Sequence, residues 1–240
     1  MIVVLLLVGL LITIILSPQL AYANKSTHSG FTIYHNKPVD PKLTAILDEA
    51  AILLQNSEFY KGSLNLDICL HDGSKYPGLI KVLLGPAFAW AVYDKVILQG
   101  EMNCGENSVE LHGYTWNLTQ LLAHEMMHCL QYKELGLWKS NPVAQIPAWK
   151  WEGYVEFIAR QGPLQRDLLK NLDRLENADE DSWGIKFEDG TIAPRELYEY
   201  WIMVHYCLAI KEMTYMEVLA DAQDELRIKK EIRNWYSRQK

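Results

Sequence analysis

The chain has 240 residues, 49% of them hydrophobic and 22% charged, with a net charge of −7. That length and balance describe one sizeable globular domain or two small lobes, and they exclude a disordered or collagen-like chain. The acidic balance also argues against nucleic acid as a partner, because neutralising phosphates takes a basic stripe.

Ile2 to Leu16 is apolar apart from Gly9 and Thr13, and Ser17-Pro18 and Ala21-Tyr22-Ala23 follow; residues 1–23 carry no charged side chain. A short apolar core, a helix-breaking proline and an A-x-A sequence predict a signal peptide cut after Ala23, and therefore an exported protein, secreted or periplasmic. The competing reading is an uncleaved anchor over residues 2–23, which just reaches across roughly 30 Å of hydrocarbon. Membrane contact is then expected through this segment alone. Export permits disulfides. Cys69 ends an apolar strand-like run and Cys104 sits in a polar turn, so these two are the expected pair, with Cys129 and Cys207 as small buried thiols.

Asn24–Gly30 is polar and reads as a loose leader, and Phe31–Tyr34 as a short strand. Asp40-Pro41 supplies a cap and a first-turn proline for a helix to about Gln55, whose apolar positions Leu43, Ile46, Leu47, Ala50 and Leu54 keep helical spacing. Leu64–Leu70 alternates like a half-buried strand, Ala87–Val92 and Lys95–Gln99 flank a tight Tyr93-Asp94 turn, and Asn107–His112 forms one more short strand. Beyond Trp116 the pattern is helical, over 117–135, 148–161, 163–176, 194–213 and 215–237. The expected fold is α+β: a small antiparallel sheet with a helix in residues 24–115, then an all-helical lobe over 116–240.

His124-Glu125-Met-Met-His128 is an H-E-x-x-H sequence inside an apolar stretch. On a helix, positions i and i+4 stack on one face, so both imidazoles can meet one metal ion. Glu125, about a hundred degrees around the helix, falls beside the metal's open position. Asn117 offers the N-cap, with Gln120 where a capping box wants it. The alternative is a surface helix with solvated polar groups, which the apolar flanks oppose. A zinc site needs a third protein ligand. Glu134 and His205 are candidates, but Glu152, on a helix opened by Pro147 and 24 residues beyond His128, is the strongest.

Together, Leu122–Gln131 and Pro147-Ala-Trp149-Lys-Trp-Glu152-Gly153-Tyr-Val-Glu156-Phe157 resemble the gluzincin metallopeptidases. These are the thermolysin-like and aminopeptidase-N-like enzymes, including small proteins with a peptidase-MA-like domain. The resemblance covers about residues 117–160. It implies a zincin-like fold, one Zn2+ held by His124, His128 and Glu152, and a carboxylate at Glu156 bracing a zinc histidine. It also implies a donor to the transition state on a later helix: Tyr198 first, with Tyr200 and His205 behind it. Lys150-Trp151 departs from the smaller or polar residues usual before the Glu.

The implied activity is hydrolysis of peptide bonds, with Glu125 as general base toward a zinc-activated water and a peptide or protein as substrate. The substrate is expected to lie along an exposed strand, with residues 107–112 as the candidate edge. Two rival functions share the same residues: an inactive envelope-binding protein of this fold, and a zinc amidase acting on a non-peptide or cell-wall amide. The sequons Asn24-Lys-Ser26 and Asn117-Leu-Thr119 matter only in a glycosylating host. The mixed basic and apolar residues near Lys229–Trp235 read as a solvated face.

Overall fold

The computed structural model describes residues 9, 12–162, 165–179 and 181–240, so most of the expected signal segment lies outside the described residues. Among the described residues no helix is long and apolar enough to cross a membrane. Just after the apolar segment, Tyr22 is buried and its hydroxyl donates to Leu70 O at 2.9 Å.

The fold is α+β. Strands β1 (Asn24–His28), β2 (Phe31–His35), β3 (Leu66–Cys69), β4 (Ala89–Val92) and β5 (Lys95–Leu98) form one sheet in the order β1-β2-β3-β5-β4. It is mixed rather than antiparallel, because β2–β3 and β3–β5 pair in parallel. Parallel neighbours need crossover connections. Helix α1 (Lys42–Leu54) makes the first, and α2 (Tyr76–Leu84), which the sequence pattern did not announce, lies within the second. The expected leader at 24–30 is instead an edge strand. It pairs in antiparallel register with β2 through a turn at Ser29-Gly30, where Gly30 takes a φ of 91° and its Cα lies against Leu64 O. Its residues are mostly exposed, so backbone pairing and not hydropathy holds it in place.

Strands β6 (Glu101–Asn103), β7 (Ser108–Leu111) and β8 (Tyr114–Asn117) form a second, antiparallel sheet. The expected substrate edge at 107–112 is the middle strand of this sheet, with β6 and β8 bonded on either side, so it has no free edge to offer. Strand β8 runs directly into α3 (Leu118–Leu135), the motif helix. Helices α4 (Ala148–Ala159), α5 (Leu168–Asn177), α6 (Arg195–Ala209), α7 (Tyr215–Ala220) and α8 (Glu225–Tyr236) follow, with a small hairpin of β9 (Gly184–Lys186) and β10 (Ile192–Pro194) before α6. The single helix expected over 215–237 is two. Thr214 and Glu217 make a capping box, and Asp224 caps afresh by accepting from Arg227 N at 2.8 Å.

One apolar core runs from Phe31 and Leu47 under the sheet, through Leu122 and Met126 of α3, to Trp201 and Ile228. A smaller cluster of Tyr22, Tyr34, Cys69, Tyr76, Trp90 and Ile97 covers the other sheet face. That division corrects the expected disulfide. Cys69 belongs to the small cluster and Cys104 to the main core, and all four cysteines are free, buried thiols.

Candidate metal centre

Helix α3 is buried on all sides from Leu118 to Gln131, so its polar residues need partners. Asn117 caps it by accepting from Gln120 N at 3.0 Å. Gln120 does not close the capping box; its side chain instead donates to Gln165 Oε1 at 2.9 Å and accepts from Arg160 Nη1 at 3.2 Å. Helix α4 packs along α3 and still more extensively along α6. A Cβ on Gly153 would lie 2.4 Å from Tyr200 O and 2.8 Å from Val204 Cγ2. The glycine after Glu152 is therefore what lets α4 seat against α6 and turn the Glu152 carboxylate toward α3.

His124, His128 and Glu152 converge, each offering one ligand atom within 4.8 Å of the others. Glu152 Oε2 lies 3.1 Å from His128 Nε2 and 3.5 Å from His124 Nε2. Both Nδ1 atoms face away and are held from behind. His124 Nδ1 is 2.9 Å from Glu156 Oε1, and Glu156 is itself paired with Arg160 Nε. The Arg160 guanidinium is buried among the rings of Trp116, Phe187 and Trp201.

His128 Nδ1 lies 2.8 Å from Gln131 Oε1. The Gln131 amide nitrogen donates to Trp151 O at 3.1 Å and to Tyr215 Oη at 2.9 Å, and Tyr215 donates onward to Lys150 O at 3.2 Å. A backbone carbonyl can only accept, so the whole chain has one direction. Gln131 must present its oxygen to His128, which places the proton on Nδ1 and leaves the Nε2 lone pair facing Glu152. The rings are fixed laterally as well. His128 stacks on Trp151 at 5.6 Å, and His124 meets Trp116 edge-on at 5.9 Å.

Charge is distributed accordingly. Burial opposes protonation of His124, but hydrogen bonds to Glu152 and Glu156 outweigh it and push the imidazole up to about 10. Burial likewise opposes ionisation of Glu152, yet His128 and His124 hold that carboxyl well below the usual range. Glu156 is held low by Arg160 and His124 against the same penalty. Glu125 goes the other way, because burial raises it and the two imidazoles only partly compensate. Among the described residues its carboxylate makes no side-chain hydrogen bond, and it lines a cleft of about 250 Å³ with the three converging residues, Tyr132 and Trp151.

The wall opposite is β4, the edge of the five-stranded sheet, through Ala89, Trp90 and Ala91. Phe88 O accepts from Gln99 N at 2.8 Å. Hydrogen-bonded and non-bonded pairs alternate along an antiparallel ladder. Phe88, Trp90 and Val92 therefore bond to β5, while the backbone groups of Ala89 and Ala91 point along the open edge.

Tyr198 is not part of this cleft. It is fully buried, and its hydroxyl is held by Asn171 Oδ1 at 3.0 Å and Arg174 Nη1 at 3.2 Å. Tyr200 donates to Glu196 at 2.6 Å. His205 stacks on Trp201, with its Nδ1 buried and unpartnered among the described residues. Helix α6 thus turns these three into its packing, and the tyrosine that lines the cleft is Tyr132, one turn beyond His128 on α3. Glu134 points outward to Lys61 at 3.4 Å. Lys150 is buried, with its ammonium on the carbonyls of Leu219 and Asp221, so only Trp151 of the unusual pair shapes the rim. Gln131, Arg160 and Tyr215 escaped the sequence reading. Spacing did carry a hint of two of them, at i+3 from His128 and i+4 from Glu156. No family model, curated protein or solved structure matches this chain.

Proposed function

We propose that the protein is an exported zinc metallopeptidase, with His124, His128 and Glu152 as ligands of one Zn2+ and Glu125 as general base. The observation that carries this reading is the shared convergence of two Nε2 atoms and one carboxylate beside Glu125, whose carboxylate has no side-chain hydrogen bond among the described residues. Two neutral imidazoles and a carboxylate, with room for a fourth ligand, suit zinc at a catalytic site. Zinc held there would supply Lewis acidity, making a water acidic near neutral pH and polarising a carbonyl.

The chain's own residues supply the rest. Glu125, raised by burial, is matched to take a proton from the attacking water and return it to the leaving amine. Ala89 and Ala91 on β4 offer the backbone groups that an extended peptide needs to lie across the cleft. Tyr132, on α3 across the cleft from β4, is the candidate hydroxyl donor to the developing oxyanion. Glu156 and Gln131 hold the imidazoles without entering the reaction.

The test is Glu125→Gln beside His128→Ala, with zinc content and hydrolysis of a mixed peptide library measured together. The reading expects Glu125→Gln to keep zinc and lose hydrolysis, and His128→Ala to lose both. Unchanged hydrolysis in Glu125→Gln would sink it.

A further inference from the structure

Beside the metal cleft, and sharing Ala91 and Tyr132 with it, runs a second and larger groove of about 650 Å³ with an almost wholly apolar lining. Its rim is built by three stretches distant in sequence: Leu16, the last turn of α2, and the connection from Leu137 to Val143. Their side chains do not fold inward. Trp138 is 85% exposed, Leu84 57%, and Leu137 and Val143 55% each. A cluster of large apolar side chains left in water marks a surface that something covers.

We propose that this face rests on an anionic lipid surface, with Trp138, Leu84 and Leu137 inserted at the headgroup level and the metal cleft opening along the membrane.

Three observations favour lipid over other occupants. The first is shape. A pocket for one substrate side chain buries its lining, whereas here large apolar groups stand out from two separate supports. An indole with an apolar body and a polar N–H is suited to the membrane interface. The supports are firm. Leu84 stands on a helix, and the Asn141 side chain ties the connection by bonding both backbone groups of Ile146, at 2.9 and 2.7 Å.

The second is charge. The protein is acidic overall, yet residues 75–85 and 135–148 carry Lys75, Lys81 and Lys139 and no Asp or Glu. Asp94, next in sequence to the rim residue Tyr93, is engaged by Lys95 at 2.6 Å. Lysines flanking apolar side chains are what anionic headgroups attract. The third is continuity. Leu16, the last residue of the charge-free apolar stretch, lines this groove.

The experiment uses the full chain with vesicles of phosphatidylcholine, alone or with phosphatidylglycerol, and reads tryptophan quenching by brominated lipid and by iodide. Trp138→Phe, a change at an exposed site, identifies the signal. The expected result is a bromolipid-quenched component that Trp138→Phe removes and that loses its iodide quenching severalfold on anionic vesicles. Lys81→Gln combined with Lys139→Gln should reduce that component to its level on phosphatidylcholine alone. If the chain floats with vesicles while Trp138 stays equally open to iodide, only the N-terminal segment touches lipid and the proposal is overturned. Shielding of Trp138 by added peptide without lipid, or by a concentration-dependent dimer in lipid-free sedimentation, overturns it too. None of these readouts depends on hydrolysis.

Discussion

Gln131 Oε1 faces His128 Nδ1 at 2.8 Å while its amide nitrogen is committed to Trp151 O and Tyr215 Oη. The histidine tautomer is therefore set by a glutamine that cannot rotate. Gln131→Leu should keep the fold but free the imidazole to adopt either tautomer and either ring orientation. Zinc affinity is expected to fall on the order of 10–100-fold, the usual cost of losing such a partner. Gln131→Glu, which keeps an acceptor on His128, should lose less. Competition against a chromophoric chelator measures both, and equal affinities in all three proteins would remove Gln131 from the site.

The raised His124 has a thermodynamic consequence. With its protonation pushed up to about 10, the metal-free protein carries a proton there at pH 7. A metal ion requires the neutral ring, so binding must release that proton. Calorimetry in buffers of different ionisation enthalpy should show about one proton released per zinc at pH 7, and affinity should weaken about tenfold for each unit that pH falls through the neutral range. Glu156→Gln removes one of the three carboxylates that raise His124, so less proton release is expected from it. Proton-neutral binding would contradict the assignment.

Gly153 is a packing requirement, since any side chain there meets Tyr200 O at 2.4 Å. Gly153→Ala forces α4 away from α6, at a cost of roughly 1–3 kcal/mol for overpacking. Because Glu152 precedes it on the same helix, the displacement should also weaken zinc binding. Chemical denaturation of metal-free protein and a zinc titration report the two effects separately. A variant as stable as the parent and with equal affinity would show that the contact relaxes freely.

Much of the centre was legible because it is encoded by spacing within helices: His124 and His128 one turn apart, Asn117 at the cap, Glu152 after Pro147. Glu156 followed from the resemblance and bonds His124 as expected. Two kinds of feature were not legible. The first depends on which way a helix is rotated in the fold. Aromatic-rich α6 gave no sign that Tyr198 would turn to Asn171 while Tyr132 lined the cleft. The second depends on backbone partners. Exposed β1 and the parallel β2–β3 pairing rest on ladders to distant residues, and hydropathy carries no trace of those. The sheet edge that lines the cleft fell on β4 for the same reason. Which strand ends a sheet is decided by the crossover helices, and α2 was one of them.

Tyr198 gives a contrast with Tyr132. Removing the Tyr198 hydroxyl leaves Asn171 Oδ1 with Arg174 Nη1 alone, at 2.9 Å, and takes one partner from Arg174, both away from the metal ligands. Tyr198→Phe should therefore lower stability by about 1 kcal/mol, the net worth of a buried hydrogen bond, and leave hydrolysis near its parent value. Tyr132→Phe should do the reverse, lowering kcat more than tenfold with little change in stability, as loss of an oxyanion donor does. Thermal melts and steady-state kinetics on both variants separate the roles, and a kcat loss confined to Tyr198→Phe would restore it to the reaction.

His205 makes the protein sensitive to acid for a reason unrelated to zinc. Burial between Trp201 and Phe157 lowers its imidazole to about 4, with Asp167 only weakly opposing, and Nδ1 has no partner among the described residues. The unfolded chain titrates this group near 6.5. Between those values the unfolded state binds the proton and the folded state does not, so stability falls as pH drops from about 6.5 toward 4. The full difference is about 3 kcal/mol from this one residue. His205→Phe, close in size and without a titrating group, should flatten that part of the curve while leaving stability above pH 7 nearly unchanged. Urea denaturation of the metal-free protein at intervals from pH 7.5 to 4, on the order of one unit apart, is the measurement. An identical slope in parent and variant would show that His205 is already protonated in the fold.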